Sequence, residues 1–238
     1  MKDRPASILL LGIALSLFYS SARAQNPPPP DGHRHFIMPT GKSMQGGFLG
    51  VWELAFFQAG YGFGDFLSVS GGMTILPTVA LKSQFGFLQA KATLADEGGI
   101  SFAAGANLLL LTHRHPYVHG IITGTAEMKD DSRYTAMLFY KFVGKNENTS
   151  VEVLPYGAFQ FTYGSSLGAG MGFDTPLKGV KNTRIVVELW NHDLSVARNI
   201  AALAAFRVEG EKFSSDFGLM YFSLPLLVPV ANFVWRFN

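Results

Sequence analysis

The sequence predicts an all-β protein, a closed antiparallel transmembrane β-barrel of about twelve strands, with ten or fourteen as the alternatives. Three observations support this prediction. Short segments in which apolar and polar residues alternate run from residue 48 to the C-terminus. Turn-forming residues separate these segments at intervals of roughly 10 to 20 residues. Charged residues make up only 15% of the chain, which is too few for a barrel whose whole exterior faces water.

The first 24 residues have the layout of a cleavable secretion signal. Lys2 and Arg4 precede an apolar run over residues 8–18, and residues 22–24, Ala-Arg-Ala, fit the small-x-small pattern of signal peptidases. The run is too short for a helix that spans a bilayer, which needs about 20 apolar residues. We therefore expect cleavage near Ala24 and export of the chain.

The expected organisation is a signal peptide over residues 1–24, a proline-rich leader over 25–47 and a barrel over 48–238. Consecutive prolines over residues 27–30 favour an extended tether and cannot join the interior of a sheet. The alanine-rich residues 194–207 have good helix propensity, so that both a strand and a loop helix fit them. The connections at both ends of the barrel look short.

Alternation within the strands separates an apolar face from a polar face. Phe213, Phe217 and Leu219 share one side of their segment, and Lys212 and Asp216 share the other. A soluble barrel of the lipocalin type has the same period turned inside out, so the period alone does not decide which face is outside. Arg or Lys on a lipid face near the bilayer midplane costs about 2 to 4 kcal/mol, and we therefore expect the charges to line the lumen.

The charged residues at inward positions are the candidate functional residues. Rings of such charges select ions or small solutes in pores, whereas paired charges that fill a narrow barrel would only plug it. The sequence leaves both readings open. The expected lumen-lining residues are Glu53, Lys141, Glu152, Arg184, Glu188, Asp216 and Arg236.

The C-terminal strand, Phe233-Val-Trp235-Arg-Phe237, resembles the last strand of bacterial outer-membrane barrels, which carries alternating aromatics and usually ends in Phe. Here Asn238 follows that Phe. Residues 38–40, Met-Pro-Thr, together with 61–68, Tyr-Gly-Phe-Gly-Asp-Phe-Leu-Ser, are also similar to the opening of an uncharacterised group of outer-membrane barrels. The resemblance implies an outer membrane of a Gram-negative-type bacterium, surrounding lipid, and the barrel-assembly machinery as a partner during insertion. It implies no activity.

Composition and failed motifs exclude several other classes. The net charge of +2 comes from scattered residues, which is untypical of nucleic-acid binding. The absence of cysteine excludes disulfides and thiolate metal sites. His113, His115 and His119 gather near one turn, but no carboxylate lies close to them in sequence as a third ligand, so we expect neither metal nor cofactor. Residues 41–43, Gly-Lys-Ser, lack the earlier glycine of a phosphate loop, because position 36 is Phe.

One motif suggests catalysis. Residues 164–168, Gly-Ser-Ser-Leu-Gly, fit the Gly-x-Ser-x-Gly turn that exposes a nucleophilic serine before a helix. The glycine-rich residues that follow do not favour a helix, so a hairpin turn explains the same pattern. Ser166 with a histidine such as His113, His119 or His192 is the catalytic hypothesis that the sequence leaves open.

The expected function is therefore not enzymatic. We expect an outer-membrane barrel that is either a narrow passive channel for small solutes or a structural barrel. Two alternatives remain open from the sequence: a barrel hydrolase that acts on membrane lipid, and a soluble periplasmic barrel that binds a ligand.

Overall fold

A computed structural model describes residues 40–44, 46–52, 56–75, 86–110, 116–144, 147–153, 157–163, 167–191, 193–222 and 226–237. Within these ranges the chain forms fourteen antiparallel strands and one turn of 3-10 helix, Ala197–Asn199. In these ranges, no helix has the length and the apolar composition that are needed to cross a membrane.

The strands follow one another along the chain with short connections in most places. Their bounds are β1 Gly46–Trp52, β2 Phe56–Phe63, β3 Leu67–Thr74, β4 Gly86–Glu97, β5 Ile100–Leu110, β6 Tyr117–Glu127, β7 Arg133–Val143, β8 Glu147–Val153, β9 Gly157–Tyr163, β10 Leu167–Pro176, β11 Thr183–Asn191, β12 Ile200–Glu209, β13 Phe213–Phe222 and β14 Leu226–Phe237.

Twelve of these strands close into a single barrel, which confirms the predicted fold class and strand number. Each barrel strand pairs with its neighbour in the chain, except that β7 pairs directly with β10, and β1 closes the ring against β14. Strands β8 and β9 form a separate two-stranded sheet. Closure leaves no sheet edge in the wall, so that neighbouring strands satisfy the backbone hydrogen bonds without water.

The alanine-rich stretch forms a barrel strand and not a loop helix. Ile200–Glu209 is β12, which pairs with β11 on one side and β13 on the other. Only Ala197–Asn199, just before it, adopts a helical turn. Pairing on both edges supplies far more hydrogen bonds than a short isolated helix would, and this tertiary context overrides the helix propensity of alanine.

The two ends of the barrel differ. At one end, here called the short-turn end, the connections are residues 64–66, 98–99, 128–132, 177–182 and 210–212, and β1 begins and β14 finishes there. At the other, the long-loop end, residues 144–166 join β7 to β10 and include the β8–β9 sheet. The expectation of short connections at both ends is therefore wrong for the long-loop end. Strands outside the wall have the same pattern of turns and alternation as the strands of the wall, so the sequence does not distinguish the two.

Burial alternates along the strands and fixes the orientation of the faces. In β11, Arg184, Val186 and Glu188 are buried, whereas Val187 and Leu189 are exposed. Most of the other barrel strands repeat this arrangement, and most of the large apolar side chains point out of the wall. This is the orientation of a barrel that faces lipid, and it contradicts the soluble alternative, in which the large apolar side chains would point inward.

The β4–β5 hairpin has a two-residue turn that requires glycine. Gly98 and Gly99 have φ values of +61° and +81°, and Glu97 pairs with Ile100 across the turn. Two consecutive positive φ values are typical of the type I′ turn, whose twist matches that of the flanking strands. The glycine pair therefore fixes the register of this hairpin.

Gly98→Ala should lower the free energy of unfolding by about 1 to 2 kcal/mol, because a Cβ is strained in the left-handed region. A Cβ at this position meets nothing within 4 Å, so the loss would come from the backbone alone. Urea unfolding in detergent micelles measures it. Gly98→Asn is the control, since Asn tolerates this conformation, and equal losses for Ala and Asn would contradict the explanation.

Candidate functional site

Five polar side chains lie on five consecutive strands towards the short-turn end and form what we call the lumen row. Each is buried on the inward face, with at most 4% of its surface exposed. Burial of so many polar groups on one face requires partners for their charges and hydrogen bonds. The members, in strand order from β10 to β14, are Asp174, Arg184, Arg207, Asp216 and Asn232.

Arg184 binds two carboxylates at once. Its Nε donates to Asp174 Oδ2 at 3.2 Å, and its Nη1 donates to Asp131 Oδ2 at 2.7 Å. Its Nη2 donates to the Asp131 carbonyl and to Asp174 Oδ1. Asp131 lies in the β6–β7 turn with a φ of +62°, so the guanidinium joins a strand of the wall to a turn at its rim. Charge-assisted bonds of this kind are among the stronger hydrogen bonds in proteins.

Arg207 and Asp216 form the second pair of the lumen row. Arg207 Nε donates to Asp216 Oδ1, and Nη2 donates to Asp216 Oδ2 at 3.1 Å, a bidentate arrangement. Asn232 Nδ2 adds a bond to Asp216 Oδ2 at 3.0 Å. Arg184 and Arg207 are directly opposite each other in the β11–β12 register, so each guanidinium needs its own carboxylate to offset the repulsion.

Five residues that precede β1 also lie inside the barrel. Residues 40–44, here called the inner segment, are bound by inward-facing side chains of the wall. The Gly41 amide donates to Thr125 Oγ1 at 2.8 Å, and the Ser43 amide donates to Thr93 Oγ1 at 2.7 Å. Lys91 Nζ donates to the carbonyls of residues 40 and 42, at 2.6 Å in both cases.

Ion pairs extend from the inner segment to the wall beside the lumen row. Lys42 Nζ lies 3.1 Å from Asp96 Oδ1 and 3.7 Å from Glu127 Oε2. Glu127 Oε1 in turn lies 3.3 Å from Arg133 Nε. Arg133 pairs in register with Asp174 of the lumen row. Charges of both signs thus lie around much of the short-turn end.

The β6–β7 turn holds its acidic side chains in fixed positions. The Ser132 amide donates to Asp130 Oδ1 at 3.2 Å, and this bond holds the pKa of the Asp130 carboxyl below its usual value. The next residue, Asp131, is the one that meets Arg184. The Asp130 carboxylate is therefore ionised at neutral pH at the rim of the short-turn end.

The wall nearer the long-loop end carries an apolar patch on its inward face. Leu203, Ala205, Met220 and Val230 form a buried cluster on β12, β13 and β14, and Trp190 of β11 packs against it. The lumen is therefore polar and charged towards one end and partly apolar towards the other. Alternation alone does not predict this patch, because apolar residues at inward positions look like imperfections of the pattern.

The structure places the sequence-predicted lumen residues as follows. Lys141, Arg184, Glu188 and Asp216 are buried at inward positions of the wall. Arg236 is half-buried at an inward position, and its Nη2 donates to Ser214 Oγ at 3.2 Å. Glu152 belongs to β8, which pairs with β9 in the separate two-stranded sheet. Contrary to the expectation, its strand is therefore not part of the wall. Glu53 lies outside the described residues.

Sequence reasoning missed several residues of the site, above all the partners Asp174 and Arg207, together with Lys91 and the inner segment. Arg207 had a usable signal, because it has the inward parity once residues 200–209 are treated as a strand. Among the residues that the structure describes, no cluster of three or more His, Asp or Glu side chains is arranged to hold a metal ion.

The catalytic hypothesis gains no geometry from the described residues. His119 lies at an inward position of β6, where its ring stands edge-on to that of Phe139 at 6.0 Å between centroids. Ser166, His113 and His192 lie outside the described ranges, as does His115. An imidazole on the inward face is not placed to meet a lipid ester at the outer surface of the barrel.

Comparison with solved structures finds two similar barrels. A structure described as KdgM porin aligns with a TM-score of 0.57 and 11% identity, and covers 81% of this chain and 98% of that chain. A second, described as KdgM porin in complex with disordered oligogalacturonate, aligns with a TM-score of 0.55, the same identity and the same coverage. At this identity the likeness shows the fold alone. No family model and no curated protein sequence matches the chain.

Proposed function

We propose that the protein is a narrow passive channel for small solutes. The observation that supports this best is a wall of twelve strands with a polar, charged inward face. Side chains just fill a barrel of about eight strands, and the diameter grows with strand number. A wall of this size therefore encloses more space than its own side chains occupy, and the polar face favours water in that space. The likeness of the fold to porins agrees with this proposal.

The proposed location is the outer membrane. The outward face carries large exposed apolar side chains, such as Leu49, Ile122 and Leu138, which lipid would cover. Bacterial barrels have short periplasmic turns and longer extracellular loops, so we assign the short-turn end to the periplasm. The signal peptide directs export, with cleavage near Ala24, and the C-terminal strand with Phe237 serves the barrel-assembly machinery during insertion.

Charge balance in the lumen favours solutes with little net charge. Four cations, Lys42, Arg133, Arg184 and Arg207, each lie within 4.0 Å of a carboxylate of the chain. A polyanion such as the oligogalacturonate named for one porin of similar fold carries a carboxylate on every unit, and it would have to compete with these internal partners. We therefore propose small neutral or weakly charged solutes for this chain.

Planar-bilayer recording of the purified mature barrel should give small conductance steps with a reversal potential close to zero in a salt gradient, because four of the lumen cations are paired with carboxylates. Asp131→Asn is the matched variant. It removes a carboxylate at the rim while Asp174 still binds Arg184, and the reversal potential should move towards anion selectivity. Absence of conductance in the wild type would reject the channel in favour of a structural barrel, and strong anion selectivity would reject the charge balance.

A further inference from the structure

We infer that the inner segment, residues 40–44, is a built-in constriction of the lumen near the short-turn end, fastened there by Lys91. The inference rests on the proposed channel, because a constriction matters only where solutes pass. Three features of the chain support it: the position of the segment on the inward face, the close fit of one glycine, and the hydrogen bonds of one buried ammonium group.

The position is inside the wall and not on its rim. Thr40, Ser43 and Met44 are buried, and the partners Thr93 and Thr125 occupy inward positions of β4 and β6. At its other end the segment packs through Met44 against inward residues of β1 and β14. The five residues therefore follow the inner surface from the β14–β1 closure to β6.

Glycine at position 41 permits this close approach. A Cβ at Gly41 would clash with the carbonyl and the hydroxyl of Ser101 on β5. Any larger residue would have to push the segment away from the wall and break the bond from its amide to Thr125. Contact with the wall therefore explains the requirement for glycine at position 41, since a free tether would accept any side chain there.

Lys91 is the fastening residue. Its side chain points into the lumen and is 5% exposed, and its ammonium group donates to two backbone carbonyls that the inner segment turns towards it. Burial of an ammonium group is costly unless such acceptors replace water, so the lysine and the bound segment stabilise each other. The pairing of Lys42 with Asp96 and Glu127 is more exposed and contributes less.

The inner segment and the lumen row lie at the same end of the barrel on different parts of its perimeter. The segment follows strands β1 to β6, and the lumen row follows β10 to β14. Together the segment and the lumen row cover most of the ring. The ion pairs that join Lys42 to Glu127 and Glu127 to Arg133 span the gap between them. The narrowest cross-section of the channel is therefore formed partly by side chains of the wall and partly by the chain's own N-terminal backbone.

Cysteine labelling tests the position of the segment without reference to transport. The chain has no cysteine, so Ser43→Cys provides a single buried thiol in the full mature barrel. A charged maleimide should label it slowly, and at least about tenfold faster when Lys91→Met is added, because two charged hydrogen bonds are lost. Lys181→Met, in an exposed turn, is the control and should leave the rate unchanged. Fast labelling of the Ser43→Cys single variant, in which Lys91 is intact, would overturn the inference.

Bilayer recording then tests the constriction itself. Lys91→Met should raise the single-channel conductance about twofold or more, because the narrowest section of a pore limits its current. Gly41→Leu is the second variant, since it displaces the segment without altering a wall strand. Faster labelling with unchanged conductance would overturn the constriction. Expected labelling with no conductance in any variant would reject the channel while leaving the segment inside the barrel.

Discussion

Asp216→Ala should lower the free energy of unfolding by about 3 to 5 kcal/mol, the loss that is typical when one partner of a buried ion pair is removed. Arg207 would keep its charge at a site where it is 2% exposed, and Asn232 would lose its acceptor. The measurement is urea unfolding of the refolded barrel in detergent micelles, followed by tryptophan fluorescence and by the heat-induced shift of the folded band in electrophoresis.

The control for this prediction is the double variant Arg207→Met with Asp216→Leu. It removes both charges, and apolar replacements of similar volume are often neutral or stabilising at buried ion pairs, so most of the lost stability should return. A loss below about 1 kcal/mol for Asp216→Ala, the value typical of an exposed ion pair, would show instead that water or neighbouring carboxylates compensate the Arg207 guanidinium.

Ile122→Arg should lower the free energy of unfolding in a bilayer by about 2 to 4 kcal/mol, the cost of a cation on the lipid face at the midplane. Ile122 is at the middle of β6, points outward and is 61% exposed. Unfolding from vesicles in a titration with guanidinium chloride measures the effect. A protein whose outward face met water would instead tolerate this arginine with little change.

Ile100→Arg is the matched control for Ile122→Arg, since it makes the same substitution at an outward position at the end of a strand. Ile100 begins β5 at the short-turn end and is 50% exposed. The cost of arginine falls to about 0 to 1 kcal/mol near the membrane interface. Equal effects at the two positions would contradict the depth that we assign to them.

The orientation of the wall could be predicted from the sequence because its signal is local. Side chains two residues apart share a face, so the alternation predicts Arg184 and Glu188 inward and Leu219 outward without knowledge of their neighbours. The turn residues predict the number of barrel strands because they too are a local signal. The β8–β9 sheet shows the limit of this signal, since strands have the same pattern whether or not they join the wall.

The contacts of the site could not be predicted because they depend on register between strands. Arg207 meets Asp216 through the pairing of β12 with β13, and Arg184 meets Asp174 across β10 and β11. A single sequence does not encode these offsets in any local pattern. The inner segment shows this limit more clearly. In the sequence, Gly41-Lys42-Ser43 looks like an ordinary turn, and only the folded barrel places Lys91, Thr93 and Thr125 around it.

The central claim is that the apolar face meets lipid and the polar face encloses the lumen, and two native tryptophans test it most directly. Trp235 points outward and is 48% exposed, whereas Trp190 packs against the inward apolar cluster. Single-tryptophan variants, made by Trp→Phe at the other positions, are placed in vesicles with brominated acyl chains. We predict strong quenching of Trp235 and little of Trp190. Equal quenching of the two, or stronger quenching of Trp190, would contradict the claim.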